Sequence, residues 1–281
     1  MTARQVHALL AAGLENPGLI STWKQEPGRL RRYGVEPESL DLSLLWKFAG
    51  LTAKVRHNGL RDKAPMTFRL LNVAGLEIEV FAAYASRCAE EGRRFAATTS
   101  ERMRDLMAFL DQWLDRKKLV DVLLWDLIRH ENAIAQLTEQ PATVAETVRA
   151  GVSPRRKLTG RSVPHLHGHL HLCEMQCDPR VVVAILRESK PDFDRIGLGS
   201  RCVGYWRPDG ASHIRILELD ELGYYTLNFI NGVNTALEID HALGGSGRTL
   251  RRGFLRLLGQ MEAAGIIGFD HRSQGHEAAP G

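Results

Sequence analysis

The sequence predicts an α+β protein with a helical N-terminal domain and a C-terminal module made of a hairpin and three helices. Apolar residues recur near every 3.6 positions through the first 137 residues. The period drops to two at 165–172 and again across 202–219, and three more helical stretches follow.

In the N-terminal half, Asn16-Pro17 is a helix start and Gly34 a C-cap, so 17–33 reads as two short helices broken at Pro27. The next helix carries Leu42, Leu45, Trp46, Ala49 and Val55 and ends at Asn58-Gly59. One long helix is expected from Pro65 to Gly92, with Leu70, Leu71, Ala74, Ile78, Phe81 and Tyr84 at helical spacing. Ser100 is the expected cap of a helix that buries Met103, Leu106, Met107, Leu110 and Leu114. The last, 119–137, contains VDVLLWDLI, apolar on several faces as a central helix is. Trp23, Trp46, Trp113 and Trp125 take apolar helical positions and read as core or interface.

Residues 138–163 are punctuated by Pro141, Gly151, Pro154 and Gly160 and carry Arg155-Arg156-Lys157, so they read as a linker. The expected division is a helical domain at 1–137, this linker, a C-terminal domain at 164–270 and a disordered tail at 271–281. His165 to Leu172 alternates strictly and reads as one strand. Asp178-Pro179 opens a short helix with Val181, Val182, Ile185 and Leu186. Residues 202–206 and 213–219 form a hairpin around the turn Pro208-Asp209-Gly210. Helices at 221–230, at 235–243 behind the cap Thr235, and at 248–264 follow, with a β-like run at 266–269. A hairpin leading into three helices is a winged-helix arrangement with its strands first.

Composition narrows the function. With 44% hydrophobic and 25% charged residues in 281, the chain is an ordinary globular one. No run approaches the roughly 18–20 apolar residues that cross a bilayer, and no secretory signal opens the chain, so a cytoplasmic protein is expected. Cys88, Cys173, Cys177 and Cys202 are too sparse for a disulfide scaffold, and Cys173 and Cys177 read as core fillers. A net charge of +4 favours acidic partners but falls short of a nucleic-acid coat protein. Walker, GxSxG and HExxH motifs are absent.

The third helix has two unlike faces. Leu250, Phe254, Leu257 and Met261 share a core sector, while Arg248, Arg252, Leu255 and Gly259 gather opposite, with Arg251 at the edge. A small glycine beside an exposed leucine and several arginines makes a shallow apolar groove with a basic rim, suited to an acidic amphipathic segment. The strand around 213–219 is its other wall, with unpaired backbone if it is an edge.

The segments GYYTLNFINGVNTALEIDHAL and RTLRRGFLRLLGQMEAAGIIGF resemble the PqqD-like precursor-recognition elements of ribosomal peptide biosynthesis. Those elements hold a leader peptide between the hairpin's edge strand and the third helix. The helical half, with LIRHENAIAQL closing its last helix, is similar to the partner proteins of multinuclear non-haem iron oxygenases, as in 3-thiaglutamate biosynthesis. The resemblance implies a non-catalytic subunit that presents the C-terminal cysteine of a precursor or carrier peptide to a TglH-like iron-dependent oxygenase for β-carbon excision. The helical domain would dock that enzyme, the iron would belong to it, and this chain would carry no cofactor of its own. The implied peptide contacts are Ile214, Arg215, Ile216 and Leu217 on the strand and Arg248, Arg251, Arg252, Leu255 and Leu258 on the helix. Neither a membrane nor a nucleic acid is an expected partner.

His165, His167, His169 and His171 would lie on one face of their strand, with Cys173. A His-x-His pair chelates zinc, copper or iron, yet the outer histidines of such a strand stand roughly 20 Å apart, so one ion reaches only two neighbours. The row is read as a half-exposed face, with Leu166, Leu170 and Leu172 inward. Two alternatives remain open: a DNA-binding regulator using Arg248, Arg251, Arg252 and Arg256, and a metal-dependent enzyme built on the histidine row.

Overall fold

The computed structural model describes residues 2–141 and 158–271. It is α+β and divides into two compact units, though not at the expected linker. The first comprises the chain as far as Asn132 together with Pro179–Gly197, and the second comprises Ala133–Asp178 and the chain from Leu198 onward. Most of the expected linker lies outside the described residues, as does the expected tail beyond His271.

In the first unit, α1 (Ala3–Glu15) starts at a Thr2–Gln5 capping box. Asn16 accepts from the Gly18 amide at 3.0 Å and starts α2 (Gly18–Gln25). A 3-10 segment, Pro27–Tyr33, follows and stops at Gly34 with φ 70°. Asp41 caps α3 (Leu42–Arg56), accepting from the Ser43 and Leu44 amides at 2.9 Å. The expected long helix is two, α4 (Pro65–Val73) and α5 (Glu77–Glu90). Gly75 breaks it at φ 70°, with the Gly75 and Leu76 amides closing on Asn72 and Leu71. The apolar spacing runs on through the break and so hides it. α6 (Thr99–Trp113) is capped by Thr98 in a box with Glu101, not by Ser100. α7 (Leu119–Glu139) follows. α4 has no side-chain cap of its own; the buried Glu131 of α7 accepts from the Met66 and Thr67 amides, both at 2.8 Å, and from the Thr67 hydroxyl. Burial pushes the Glu131 carboxyl up, against those three hydrogen bonds. The short helix α8 (Pro179–Leu186) also belongs to this unit, where Arg69 donates to the carbonyls of Leu186 and Glu188.

The second unit holds the strands. The expected single histidine strand is two, β1 (Ser162–Leu166) and β2 (His169–Met175), separated at Gly168 with φ 100°. β3 (Arg201–Arg207) and β4 (Arg215–Leu219) form the expected hairpin, and α9 (Glu221–Phe229), α10 (Ala236–Ala242) and α11 (Arg252–Ala263) follow before β5 (Ile267–His271). All pairing is antiparallel: β2-β3-β4 make one sheet and β1-β5 a separate two-stranded one.

Both faces of the larger sheet are covered. Cys173, Met175, Val203 and Tyr205 pack with Ala133 and Leu137 of α7, joined by Ile214 and Ile216. On the other face Trp206, with Leu170, Leu172, Leu217 and Leu219 around it, packs with Leu227, Ile239, Phe254, Leu258 and Met261. Arg207, 6% exposed, donates to the Gln140 carbonyl at 2.9 Å and to that of Pro141 at 3.2 Å. It thereby satisfies carbonyls that the end of α7 leaves open.

In the first unit, α3 and α5 meet at Gly50, where a Cβ would strike the Ile78 carbonyl and come within 2.7 Å of Ile78 Cγ2. Gly50→Ala should therefore cost about 1–3 kcal/mol through overpacking. Gly253→Ala on α11, where a Cβ meets open space, should be neutral or stabilise by up to ~1 kcal/mol through helix propensity. Urea unfolding of the two variants measures the contrast.

Candidate functional site

β4 is an outer strand, paired with β3 on one side, and among the described residues no strand lies on its other side. Its side chains are spoken for. Ile214 and Ile216 turn toward the α7 face, and Leu217 and Leu219 toward the helical face. Of the strand residues expected to touch a peptide, only Arg215 is exposed, its guanidinium 5.4 Å from the Trp206 ring. What the edge offers is backbone, the group that an added strand would use.

The helix residues part company. α11 begins at Arg252, four residues later than expected, because Arg251 occupies the N-cap position and Arg248 lies in the glycine-rich loop before it. Arg248 and Arg252 are exposed. Arg251 is not a free rim cation. Its Nε reaches Asp240 Oδ1 at 2.6 Å, its amide reaches Oδ2 at 3.0 Å, and its Nη2 donates to the Leu243 carbonyl at 3.1 Å. Asp240 is 1% exposed, so the pair anchors α11 to α10. Leu258 is corrected too: it is fully buried in the core with Phe254 and Met261 and presents nothing to a ligand. Leu257, expected in the core stripe, is only partly buried. Leu255 is half-buried, and a Cβ on Gly259 would meet open space, so the outward face of α11 is shallow as expected.

The backbone of α9 lies closest to β3 and β4 and that of α11 closest to β5, while Phe254, Leu258 and Met261 of α11 reach the core against Trp206. Starting directly after the edge strand, α9 carries Leu222, Tyr225 and Phe229 exposed at helical spacing, with Val233 60% exposed beyond its end. Sequence reading missed this row. Its signal, apolar residues at i, i+3, i+7 and i+11, overlaps the inward set Leu227 and Ile230 and so reads as core.

A second exposed row lies in the helical unit. Leu44, Phe48, Leu51 and Val55 recur along α3 at i, i+4, i+7 and i+11, and Phe48 is 51% exposed. The charged residues of α3 are all basic, and since Lys54 is held by the buried Glu77 at 2.7 Å, Lys47 and Arg56 are the ones beside the row. Nearby, His57 is structural: it is buried against Phe81, Tyr84 and Phe95, with Nδ1 2.8 Å from the Ala53 carbonyl. Burial lowers its pKa despite that hydrogen bond, helped by Arg102 and Arg56.

The histidines do not form a row. His169 and His171 sit on the β2 face that meets α7, while His165 and His167 belong to β1 and the bend after it. Among the described residues no group of three or more His, Cys, Asp or Glu is placed to hold a metal ion. No helix there is long and apolar enough to cross a membrane. Comparison with protein-family models and with curated proteins finds no match for this chain.

The two neighbouring arginines should separate cleanly. Arg251→Ala leaves the buried Asp240 carboxylate without its ion pair and should destabilise the protein by about 1.5–3 kcal/mol. Arg252→Ala should stay within ~0.5 kcal/mol. Thermal denaturation of both variants, read at the same pH, checks this.

Proposed function

We propose that this chain is the peptide-holding partner subunit of an iron-dependent oxygenase in ribosomal peptide biosynthesis. It takes a precursor or carrier peptide on the second unit and presents the peptide's C-terminal cysteine to the enzyme, which carries the iron and performs the β-carbon excision. The observation that carries this reading is the outer strand β4, beyond which no further strand lies among the described residues, followed at once by the exposed apolar row of α9. The resemblance of the hairpin and helices to precursor-recognition elements agrees with it. A cytoplasmic location belongs to the same reading, and none of the four cysteines forms a disulfide.

The peptide adds as a strand along residues 214–219. Backbone pairing fixes register and gives little selectivity, so side chains choose the partner. Leu255 and the α9 row supply apolar contact, and Arg248, Arg252 and Arg215 face the carboxylates of an acidic leader. Arg251 and Leu258 have no part in it. The first unit docks the enzyme through the α3 row, whose basic flank suits an apolar surface rimmed by carboxylates.

Burying a leucine-sized group is worth roughly 1.5–3 kcal/mol, against 0–1 kcal/mol for an exposed ion pair. Leu255→Asp should therefore weaken leader binding tenfold or more, beyond any single arginine replacement. Fluorescence anisotropy with a labelled precursor peptide measures it, and unchanged affinity in a folded variant puts the groove elsewhere. Phe48→Glu combined with Leu51→Glu should abolish co-purification with the co-expressed oxygenase while leaving leader affinity unaltered. A complex that survives both charges removes α3 from the docking surface.

A further inference from the structure

The break at Gly168 brings two of the four histidines together. His165 faces Gly268 directly in the β1–β5 ladder, and the His167 amide continues that ladder by donating to the Ile266 carbonyl at 2.9 Å. The His167 carbonyl accepts from Trp206 Nε1 at 2.7 Å. Both backbone groups of His167 are thus held, by strand pairing on one side and by a buried indole on the other. Gly168 fixes the chain's exit, since a Cβ there would strike the Arg207 carbonyl. Neither histidine is placed by a free loop.

Their rings converge. The centroids are 5.0 Å apart with planes at 70°. A Cβ on residue 268 would run into His167 Nε2 and stand 2.7 Å from His165 Nε2, so both distal nitrogens point over the one residue whose lack of a side chain leaves space between them. Behind His165, Asp270 Oδ2 lies 3.4 Å from Nδ1. No hydrogen bond is made at that distance and Nδ1 is buried without a hydrogen-bond partner, so a short approach of the carboxylate would close the pair and leave Nε2 as the metal-facing nitrogen, the arrangement that supports metal-ligating imidazoles.

We propose that His165 and His167 form a two-nitrogen site for a divalent late transition ion, Zn2+, Ni2+ or Cu2+, with Asp270 positioning His165 from behind. Two imidazoles and no inner carboxylate select these ions over Mg2+ and Ca2+, which take oxygen ligands. Water or a donor group of a bound molecule fills the remaining positions. His169 and His171, on the opposite side of the Gly168 break, take no part. This site is independent of the peptide and of the oxygenase's iron, and it stands or falls without either.

The test is Zn2+ titration of the tag-free full chain by isothermal calorimetry, with Cu2+ electron paramagnetic resonance for the nitrogen couplings. One saturable ion per chain is expected, bound through two nitrogens. His165→Asn and His167→Asn should each weaken it more than tenfold, and Asp270→Asn about tenfold, the range seen when an outer carboxylate is removed. His169→Asn with His171→Asn should change nothing. Circular dichroism melts confirm that each variant is folded. Absence of a saturable ion, or affinity that survives in both His165→Asn and His167→Asn, would overturn the site. So would loss of the ion in the His169 and His171 double variant.

Discussion

The second unit depends on β3 being buried on both faces. From Val203 to Arg207 every residue of the strand is buried, with α7 side chains against one face and the α9–α11 layer against the other. Gly204 lets this happen at its centre, where Leu170, Leu172 and Leu219 crowd within van der Waals reach of the missing Cβ. A central strand of this kind fixes its neighbours' register, since a one-residue slip would turn the apolar set of β2 or β4 to the wrong layer. It also settles what the sheet can offer a ligand. With both faces occupied, recognition has only strand edges and the outer surfaces of the helices to use.

That constraint explains why the candidate peptide surface is thin in free side chains. Ile214, Ile216, Leu217 and Leu219 hold the sheet to its layers, and a peptide meets the backbone they leave behind. The same economy governs α11. Phe254, Leu258 and Met261 are consumed by the core and Arg251 by Asp240, which leaves Leu255, Gly259 and the exposed Arg252 outward. The exposed apolar rows of α9 and α3 are the unspent surface, one in each unit.

The local features of this fold were legible wherever chemistry acts over a few residues. The hairpin showed in its alternation and its Pro-Asp-Gly turn, and Thr235 and Gly34 showed in their own positions. Breaks inside a continuing pattern were not legible. Gly75 and Gly168 both sit within apolar periods that run on undisturbed, and only the left-handed backbone reveals them as stops. Pairings that need tertiary approach were equally hidden. Nothing near Arg251 in sequence announces that Asp240 will claim it, and nothing near Gly268 announces two imidazoles above it. Leu257 and Leu258 flank the same core stripe, since residues three and four after Phe254 share its face, and Leu258 is the more deeply buried of the two.

Amide hydrogen exchange of the full chain, with and without an acidic precursor peptide, tests the edge-strand account most directly. If β4 receives the peptide, amides in 214–219 slow on binding, as those of an outer strand that gains a partner must. The central β3 amides, already paired on both sides, should change little. Protection that appears elsewhere while 214–219 exchanges as fast as before would contradict it.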